Sequence, residues 1–228
     1  MARIFFTGGG TAGHVTPNIA LIEAMQTRGW QCHYVGSRQG IERQLTADLN
    51  LPFHAIHSGK LRRYFSWQNF IDPVFILLGF VQSLWLCLTI RPDLVFSKGG
   101  FVSVPVAAAA WLCRIPVISH ESDITPGLAN KLCLPFSKVL CVNFAETLNH
   151  LPAAARYKVQ VTGSPLRSGL RDTDPERGRG FLQFSSDRPI LLVVGGSLGA
   201  KVLNETIWDN LDWLIQDFQI VHLVGAGN

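Results

Sequence analysis

Three glycine-rich segments carry most of the chemistry this sequence could support. The first, Thr7-Gly8-Gly9-Gly10-Thr11-Ala12-Gly13-His14, follows the apolar run Ile4-Phe5-Phe6. The second is Phe96-Ser97-Lys98-Gly99-Gly100-Phe101-Val102-Ser103, and the third is Gly195-Gly196-Ser197-Leu198-Gly199-Ala200-Lys201. Gly8, Gly10 and Gly13 meet the G-x-G-x-x-G spacing between an expected strand and an expected helix. Glycines there let the backbone turn tightly and bring its N–H groups, with the positive end of the helix dipole, onto a phosphate or diphosphate. A purely structural tight turn is the alternative for any single loop. Three loops at strand C-terminal ends point to ligands bound along one sheet edge. One phosphate loop serves a dinucleotide fold, so three suggest a site shared by two diphosphate-bearing molecules.

A dinucleotide is poorly served in other respects. The second expected strand ends Val35-Gly36-Ser37-Arg38, without the carboxylate that would hold a ribose. This disfavours NAD, while Arg38 leaves a 2′-phosphate, and so NADP, open. His14 directly follows the first loop, where a helix N-terminus favours a neutral, basic imidazole; a backbone-capping histidine is the alternative. His120-Glu121-Ser122-Asp123 closes another expected strand, where carboxylates can bind sugar hydroxyls or cap the helix that follows Pro126-Gly127. His33, His54, His57, His150 and His222 have no metal-ligand spacing. Asp172-Thr173-Asp174 matches the D-x-D of metal-dependent sugar transferases, but it falls in a polar stretch away from any strand end and is expected to be a chance match.

The elements that must position these groups alternate short apolar runs with helical patterns. Expected strands are Ile4–Thr7, His33–Gly36, Leu94–Phe96, Val117–His120, Val139–Val142, Val159–Thr162, Ile190–Val194 and Ile220–Val224. Several are apolar throughout, as parallel strands covered on both faces are. A helix with the stripe Val15, Ile19, Ile22 and Met25, ended by Gly29, joins the first two. The fold class is therefore α/β with a doubly wound, Rossmann-like parallel sheet. Residues 1–167 form the expected first domain, and the polar stretch 168–188 joins it to the start of a second domain, 189–228. That second piece reads as strand, glycine turn, one helix over Lys201–Phe218, and strand. Two strands and one helix cannot bury their own faces, so Trp208, Trp213 and Leu214 are expected to lack cover.

Composition narrows the class further. The 228 residues are 47% hydrophobic and 16% charged, which excludes a disordered chain. Five scattered cysteines form no C-x-x-C pair and suit a reducing compartment. The apolar start Ile4-Phe5-Phe6 is too short for a signal-peptide core, so a cytoplasmic protein is expected. A net charge of +4 gives no ground for a nucleic-acid partner. From Pro73 to Ile90 there are 18 residues without a charge, the threshold length for a membrane span. Asp72 and Pro73 read as N-cap and first helical residue. Because Arg91-Pro92 feeds directly into a strand, a span would tear the sheet apart. The remaining readings are a buried core helix, or a helix with one face on the sheet and another on lipid. In the second, Phe75, Phe80 and Trp85 meet the membrane while Lys60, Arg62 and Arg63 meet anionic headgroups.

The motifs also occur together in a known order. The first loop extended to Val15-Thr16-Pro17, then Ser58-Gly59-Lys60-Leu61-Arg62-Arg63, the second loop, His120-Glu121, Gly127-Leu128-Ala129-Asn130-Lys131, Gly163-Ser164-Pro165-Leu166-Arg167 and the third loop run through nearly the whole chain. This set resembles the bacterial peptidoglycan N-acetylglucosaminyltransferases, the MurG family, in their Gram-positive form. The resemblance implies a GT-B fold of two Rossmann-like domains, no cofactor, and metal-independent inverting transfer. The substrates it implies are UDP-N-acetylglucosamine and an undecaprenyl-diphosphate-linked muramoyl-peptide, at the cytoplasmic face of the cell membrane. It implies donor contacts from Thr11, Ala12, Gly13, Arg167 and Ser197, and His14 as base for the acceptor hydroxyl. Gly9, Gly10, Gly99, Gly100, Glu121 and Asn130 would line the acceptor side. Some members carry asparagine where Asp123 stands. The family is also longer, and its further residues would hold most of the nucleotide contacts, so the 228-residue chain alone is expected to be catalytically silent. A non-catalytic module that binds the lipid diphosphate, and an NADP-dependent oxidoreductase, are the competing readings.

Overall fold

The computed structural model describes residues 1–59, 68–170, 173–185, 187–196 and 199–225, without the side chains of 68–71 and 168. Lys60, Arg62, Arg63 and Ser197 lie outside the described residues. The chain folds as two compact units, Met1–Arg171 and Asp172–Asn228.

The first unit is a seven-stranded sheet in which every neighbouring pair is parallel. In chain order its strands are β1 (Arg3–Thr7), β2 (Gln31–Ser37), β3 (Phe53–Ile56), β4 (Leu94–Ser97), β5 (Val117–Glu121), β6 (Val139–Val142) and β7 (Val159–Val161), with the short helices α2 (Glu42–Leu45) between β2 and β3 and α5 (Leu128–Cys133) between β5 and β6. In space they run β3-β2-β1-β4-β5-β6-β7. The chain thus winds outward from β1 to β3, then returns to the other side of β1. That reversal between β1 and β4 opens a crevice at their C-terminal ends, and both N-terminal glycine loops sit there. The expected doubly wound sheet is present, with β3 as an addition. Its sequence, Phe-His-Ala-Ile, is too short and too mixed to show a pattern, and it forms because β2 offers Tyr34–Ser37 as a pairing edge.

Both faces of β1 are buried, which is why Ile4-Phe5-Phe6 is apolar without alternation. Phe5, with Val35, Ile56 and Val95, packs under the helices α3 (Gln68–Ile90) and α4 (Ser103–Leu112). Ile4 and Phe6, with Cys32 and Tyr34, pack under α1 (Ala12–Thr27) through Val15, Ile19 and Ile22. Helix α1 ends as expected: the Gly29 N–H donates to the Gln26 carbonyl and the Trp30 N–H to that of Met25, closing the last turn.

Helix α3 departs from expectation at its start and on its faces. It begins at Gln68, so Asp72 and Pro73 lie inside it and do not cap it. Asp72 is buried, with Oδ2 lacking a hydrogen-bond partner. The segment Asp72–Ile90 is long and apolar enough to cross a membrane. It is nonetheless a crossover between two strands of one sheet: the Arg3 guanidinium donates to the Ile90 carbonyl at 2.6 Å, and the Arg3 N–H to Asp93 at 2.8 Å. One face packs on the core through Phe80, Leu84, Leu86 and Cys87. Phe80 therefore does not belong to an outward surface. The opposite face exposes Val74, Leu77, Leu78, Val81, Trp85 and Leu88, with Leu77 at 62% and Trp85 at 64%. That i, i+3, i+4 stripe is an apolar ridge without cover among the described residues. Phe75 lies between these faces, its ring stacked on His57 at 5.7 Å.

The second unit holds β8 (Ile190–Val194) and β9 (Gln219–Leu223), paired in parallel. Within the expected joining stretch, Pro175–Leu182 forms helix α6, capped by Asp174, whose side chain accepts from the Glu176 N–H. Asp174 of the D-x-D is thus a helix cap, and Asp172 lies outside the described residues. The single expected helix is two, α7 (Lys201–Asp209) and α8 (Leu211–Asp217), because Asn210 leaves helical geometry and turns its side-chain amide back to the Thr206 carbonyl. Trp208 and Trp213 are exposed as expected, while Leu214 is half-buried.

Gly79 fixes the seat of α3, since a Cβ there would stand 2.1 Å from the His57 carbonyl oxygen. Gly79→Ala gains about 1 kcal/mol in helix propensity, yet overpacking against backbone costs about 1–3 kcal/mol. A lower urea midpoint is expected. A midpoint at or above that of the unchanged protein would show that α3 can shift freely.

Candidate active site

The site is built from the two glycine loops of the first unit. Loop 1 leaves β1 at Thr7 and enters α1; loop 2 leaves β4 at Ser97 and enters α4. They lie back to back: the Gly9 N–H donates to the Gly99 carbonyl at 3.3 Å. A Cβ on Gly100 would come within 2.3 Å of the Gly9 carbonyl oxygen. Gly99 and Gly100 also take φ values of +100° and +83°, which side chains resist. Both features need glycine, and together they let the loops share one wall.

That wall faces a cavity of about 430 Å³ lined by Gly9, Gly10, Thr11, His14, Gly100, Glu121, Asp123 and Asn130, among others. His14 is half-buried in the first turn of α1. Its Nδ1 lies 3.1 Å from the Gly9 carbonyl and 3.2 Å from Thr11 Oγ1. A carbonyl can only accept, so the Nδ1–H donates to it, and in the neutral ring the lone pair stands on Nε2. The loop thereby fixes the tautomer of the neutral imidazole at the cavity wall.

Glu121 and Asn130 form the opposite side. Glu121 Oε1 accepts from the Asp123 N–H at 2.9 Å, and Oε2 accepts from the Gly127 N–H and Asn130 Nδ2, each at 2.8 Å. Burial alone would raise its pKa, but hydrogen bonds from Asp123, Asn130, Gly127 and Ser122 outweigh it and hold the carboxyl below its ordinary range. Glu121 therefore organises the loop that carries Asp123. Asn130 also donates to the His120 carbonyl at 3.2 Å, which leaves its buried Oδ1 without a donor among the described residues. That oxygen is enclosed against Gly99, where an added Cβ would stand 3.0 Å from it, so Asn130 braces loop 2 from behind.

Of the remaining expected residues, Ala12 and Gly13 form the first turn of α1, and Gly99 lies behind Gly100. Arg167 is exposed and does not line this cavity. Gly196 and Gly199 of the third loop belong to the second unit.

Several further residues support the loops. The Tyr34 hydroxyl donates to the Gly8 carbonyl at 2.7 Å, and buried Asn18 donates to both Thr7 and Tyr34. Glu42 is fully buried and accepts from the Ser37 N–H at 2.6 Å and from the Ser37 hydroxyl. Gly9, Gly36 and Gly40 crowd its carboxylate so closely that a Cβ on any of them would fall within 2.7 Å of it or its stem. Lys98, 1% exposed, donates to the Ser122 hydroxyl. Burial pulls its ammonium below the usual lysine range, against the opposing pull of Glu121 and Asp123. His120 donates through Nε2 to the Gly163 carbonyl at 3.0 Å, and burial lowers its pKa. Nothing local marks Asn18, Tyr34 or Glu42, which only the tertiary contacts reveal, whereas Lys98 and His120 stand within the sequence motifs without any local sign of their burial.

Two outcomes follow from this geometry. Gly100→Ala should destabilise by about 1–3 kcal/mol from strain and collision, read as a lower thermal midpoint; an unchanged midpoint would mean the loops are not in contact. Glu121, with a depressed folded pKa, contributes stability above its unfolded value near 4.5 and loses it as pH falls through the folded value. Glu121→Gln should thus cost about 1–3 kcal/mol at pH 7 and distinctly less at pH 3. Equal costs at both pH values would contradict a carboxylate held by these N–H groups.

Comparison with known proteins agrees with this architecture. Residues 4–140 match the glycosyltransferase family 28 N-terminal domain. A UDP-N-acetylglucosamine–N-acetylmuramyl-(pentapeptide) pyrophosphoryl-undecaprenol N-acetylglucosamine transferase of Lachnoclostridium phytofermentans is 50% identical over 227 residues, covering 100% of this chain and 63% of the relative. Its namesake in Legionella pneumophila is 50% identical over 224 residues, covering 98% and 61%. The crystal structure of Acinetobacter baumannii MurG superposes with a TM-score of 0.70 at 27% identity, covering 100% of this chain and 61% of that one. A UDP-GlcNAc 2-epimerase from Methanocaldococcus jannaschii shares the fold alone, with a TM-score of 0.63 at 16% identity. The chain spans less than two thirds of the length of these relatives. With more than half of its residues in the matched domain, and with the two glycine loops at the switch point of the sheet, the chain belongs to glycosyltransferase family 28.

Proposed function

We propose that this chain is the acceptor-side part of an inverting, metal-independent glycosyltransferase. It moves N-acetylglucosamine from UDP-N-acetylglucosamine to an undecaprenyl-diphosphate-linked muramoyl-peptide, as the names of its relatives describe for them. The observation that carries this reading is His14, whose Nδ1–H is committed to the Gly9 carbonyl while Nε2 stays available as a base beside both glycine loops.

The chemistry follows from that arrangement. Backbone N–H groups of Gly10 and Gly100 and the N-terminus of α1 favour the acceptor diphosphate, while the Gly9 N–H ties the two loops together. Glu121 and Asn130 hold the opposite wall in place through their mutual hydrogen bond, which keeps the acceptor pocket open. His14 Nε2 takes the proton of the 4-hydroxyl as its oxygen attacks the anomeric carbon. The bond from that carbon to the diphosphate breaks, and UDP leaves with the electron pair. Thr11, Ala12, Gly13, Arg167 and Ser197 serve the donor. In a radiolabel transfer assay on the gene product that carries this chain, His14→Ala should lower kcat by about 10²–10⁴ with donor affinity nearly unchanged. A variant within about threefold of the unchanged protein would leave His14 only a capping role.

A lipid-linked acceptor requires contact with a membrane. The apolar ridge Val74, Leu77, Val81, Trp85 and Leu88 supports docking at its cytoplasmic face, with Lys60, Arg62 and Arg63 supplying positive charge nearby in sequence. Replacing Leu77 and Trp85 together by glutamine removes burial worth about 1.5–3 kcal/mol each. Pelleting with anionic vesicles should fall at least tenfold. Unchanged pelleting would place the contact elsewhere.

A further inference from the structure

A second cavity, of about 510 Å³, adjoins the candidate active site and shares Gly10, Ser37 and Ser58 with it. It lies beyond the C-terminal ends of β2 and β3, on the side of α3. No role described so far uses it. Its walls combine two kinds of surface. Ile41, Ile56 and the ring of Phe75 are apolar, and that ring is held flat against His57, itself fixed by hydrogen bonds to Gln82. Arg38 and Gln39 are exposed polar groups at the same cavity.

Arg38 makes no ion pair among the described residues, where both ion pairs lie in the second unit. The nearby carboxylate of Glu42 is turned inward to the Ser37 N–H and hydroxyl and is fully buried. An arginine left without a counter-charge beside an apolar wall suits a ligand that carries both a carboxylate and small apolar side chains. The volume is within the range that holds a small organic ligand, roughly 300–1,000 Å³, enough for a short peptide segment.

We propose that this cavity is the subsite for the peptide of the acceptor, with Arg38 pairing a peptide carboxylate. The inference rests on the acceptor reading given above. In that reading the diphosphate and sugar occupy the cavity between the glycine loops, and the peptide attached to the sugar must leave it. The shared wall at Gly10, Ser37 and Ser58 lets one molecule span both cavities. The glycine loops offer phosphate their backbone N–H groups; the second cavity offers a fork-shaped cation and an apolar wall, a combination matched to peptide.

Titration of the 228-residue chain with two soluble probes tests this. One is a short-chain prenyl-diphosphate-linked N-acetylmuramoyl-pentapeptide, and the other is the same compound without the peptide. The unchanged chain should bind the peptide-bearing probe about five- to tenfold more tightly. Arg38→Ala should abolish that preference, leave affinity for the peptide-free probe within about twofold, and keep the thermal midpoint. Arg38→Lys should restore part of the preference, since the charge remains and the fork is lost. Equal affinity of the unchanged chain for both probes overturns the subsite while sparing the acceptor reading. Equal loss for both probes in Arg38→Ala also overturns it, and makes Arg38 a diphosphate contact. Binding of neither probe to the unchanged chain overturns the acceptor reading itself, and the subsite with it.

Discussion

The close approach of Gly9 and Gly100 is the constraint on which the site depends. Two strands adjacent in a parallel sheet end about 5 Å apart, and their following loops ordinarily splay outward to give side chains room. Here neither residue has a side chain, so the loops meet through backbone atoms and present one continuous rim. The carbonyl of Gly9 at the centre of this contact is also the group that fixes the tautomer of His14. A shift of loop 2 would therefore be felt at once by the imidazole. The fold and the chemistry meet at a single peptide group.

Around that contact, the first unit buries a set of polar groups that a stability argument alone would not favour. Tyr34, Asn18, Glu42, Lys98 and Glu121 all lie beneath or beside the loops, and burying such groups is costly unless their partners are in place. Most of their hydrogen bonds go to backbone atoms of the loops or to residues next to them. The arrangement trades stability for rigidity at the sheet edge, where a ligand must find donors already aimed. Asn130 extends this pattern, since its side chain ties Glu121 to the His120 carbonyl and backs Gly99 of loop 2.

How far the sequence disclosed this depends on the range of the interaction concerned. The glycine loops, the parallel sheet and the position of His14 were legible because glycine spacing, apolar runs and strand-to-helix order are local properties. Strand β3 was missed because only the edge of β2 makes four mixed residues a strand. The start of α3 was misread because Asp-Pro is a strong local start signal, whereas the helix extends five residues further upstream, to Gln68. Phe80 and Trp85 stand about 140° apart around the helix, and which of the two faces outward is decided only where α3 meets the core. Glu42 carries no local sign that it will be enclosed, and Lys98, although it stands within the second glycine loop, carries none of its burial, because both are enclosed by residues distant in sequence. The break at Asn210 likewise needed the backbone itself.

The contact between Gly79 and the carbonyl of His57 has a consequence for the outer surface of the first unit. A helix turns 100° per residue, so a helix free to roll would present a different set of side chains with each small slip. At Gly79 the helix axis is pressed against the end of β3 with no side chain between them, and the helix is keyed in one angular setting. His57, the other half of that key, lines the cavity next to His14. The outward ridge of α3 and the rim of the glycine loops are thus held with a set bearing between them. Whatever surface receives the ridge also sets the direction from which a molecule anchored in that surface can reach the rim.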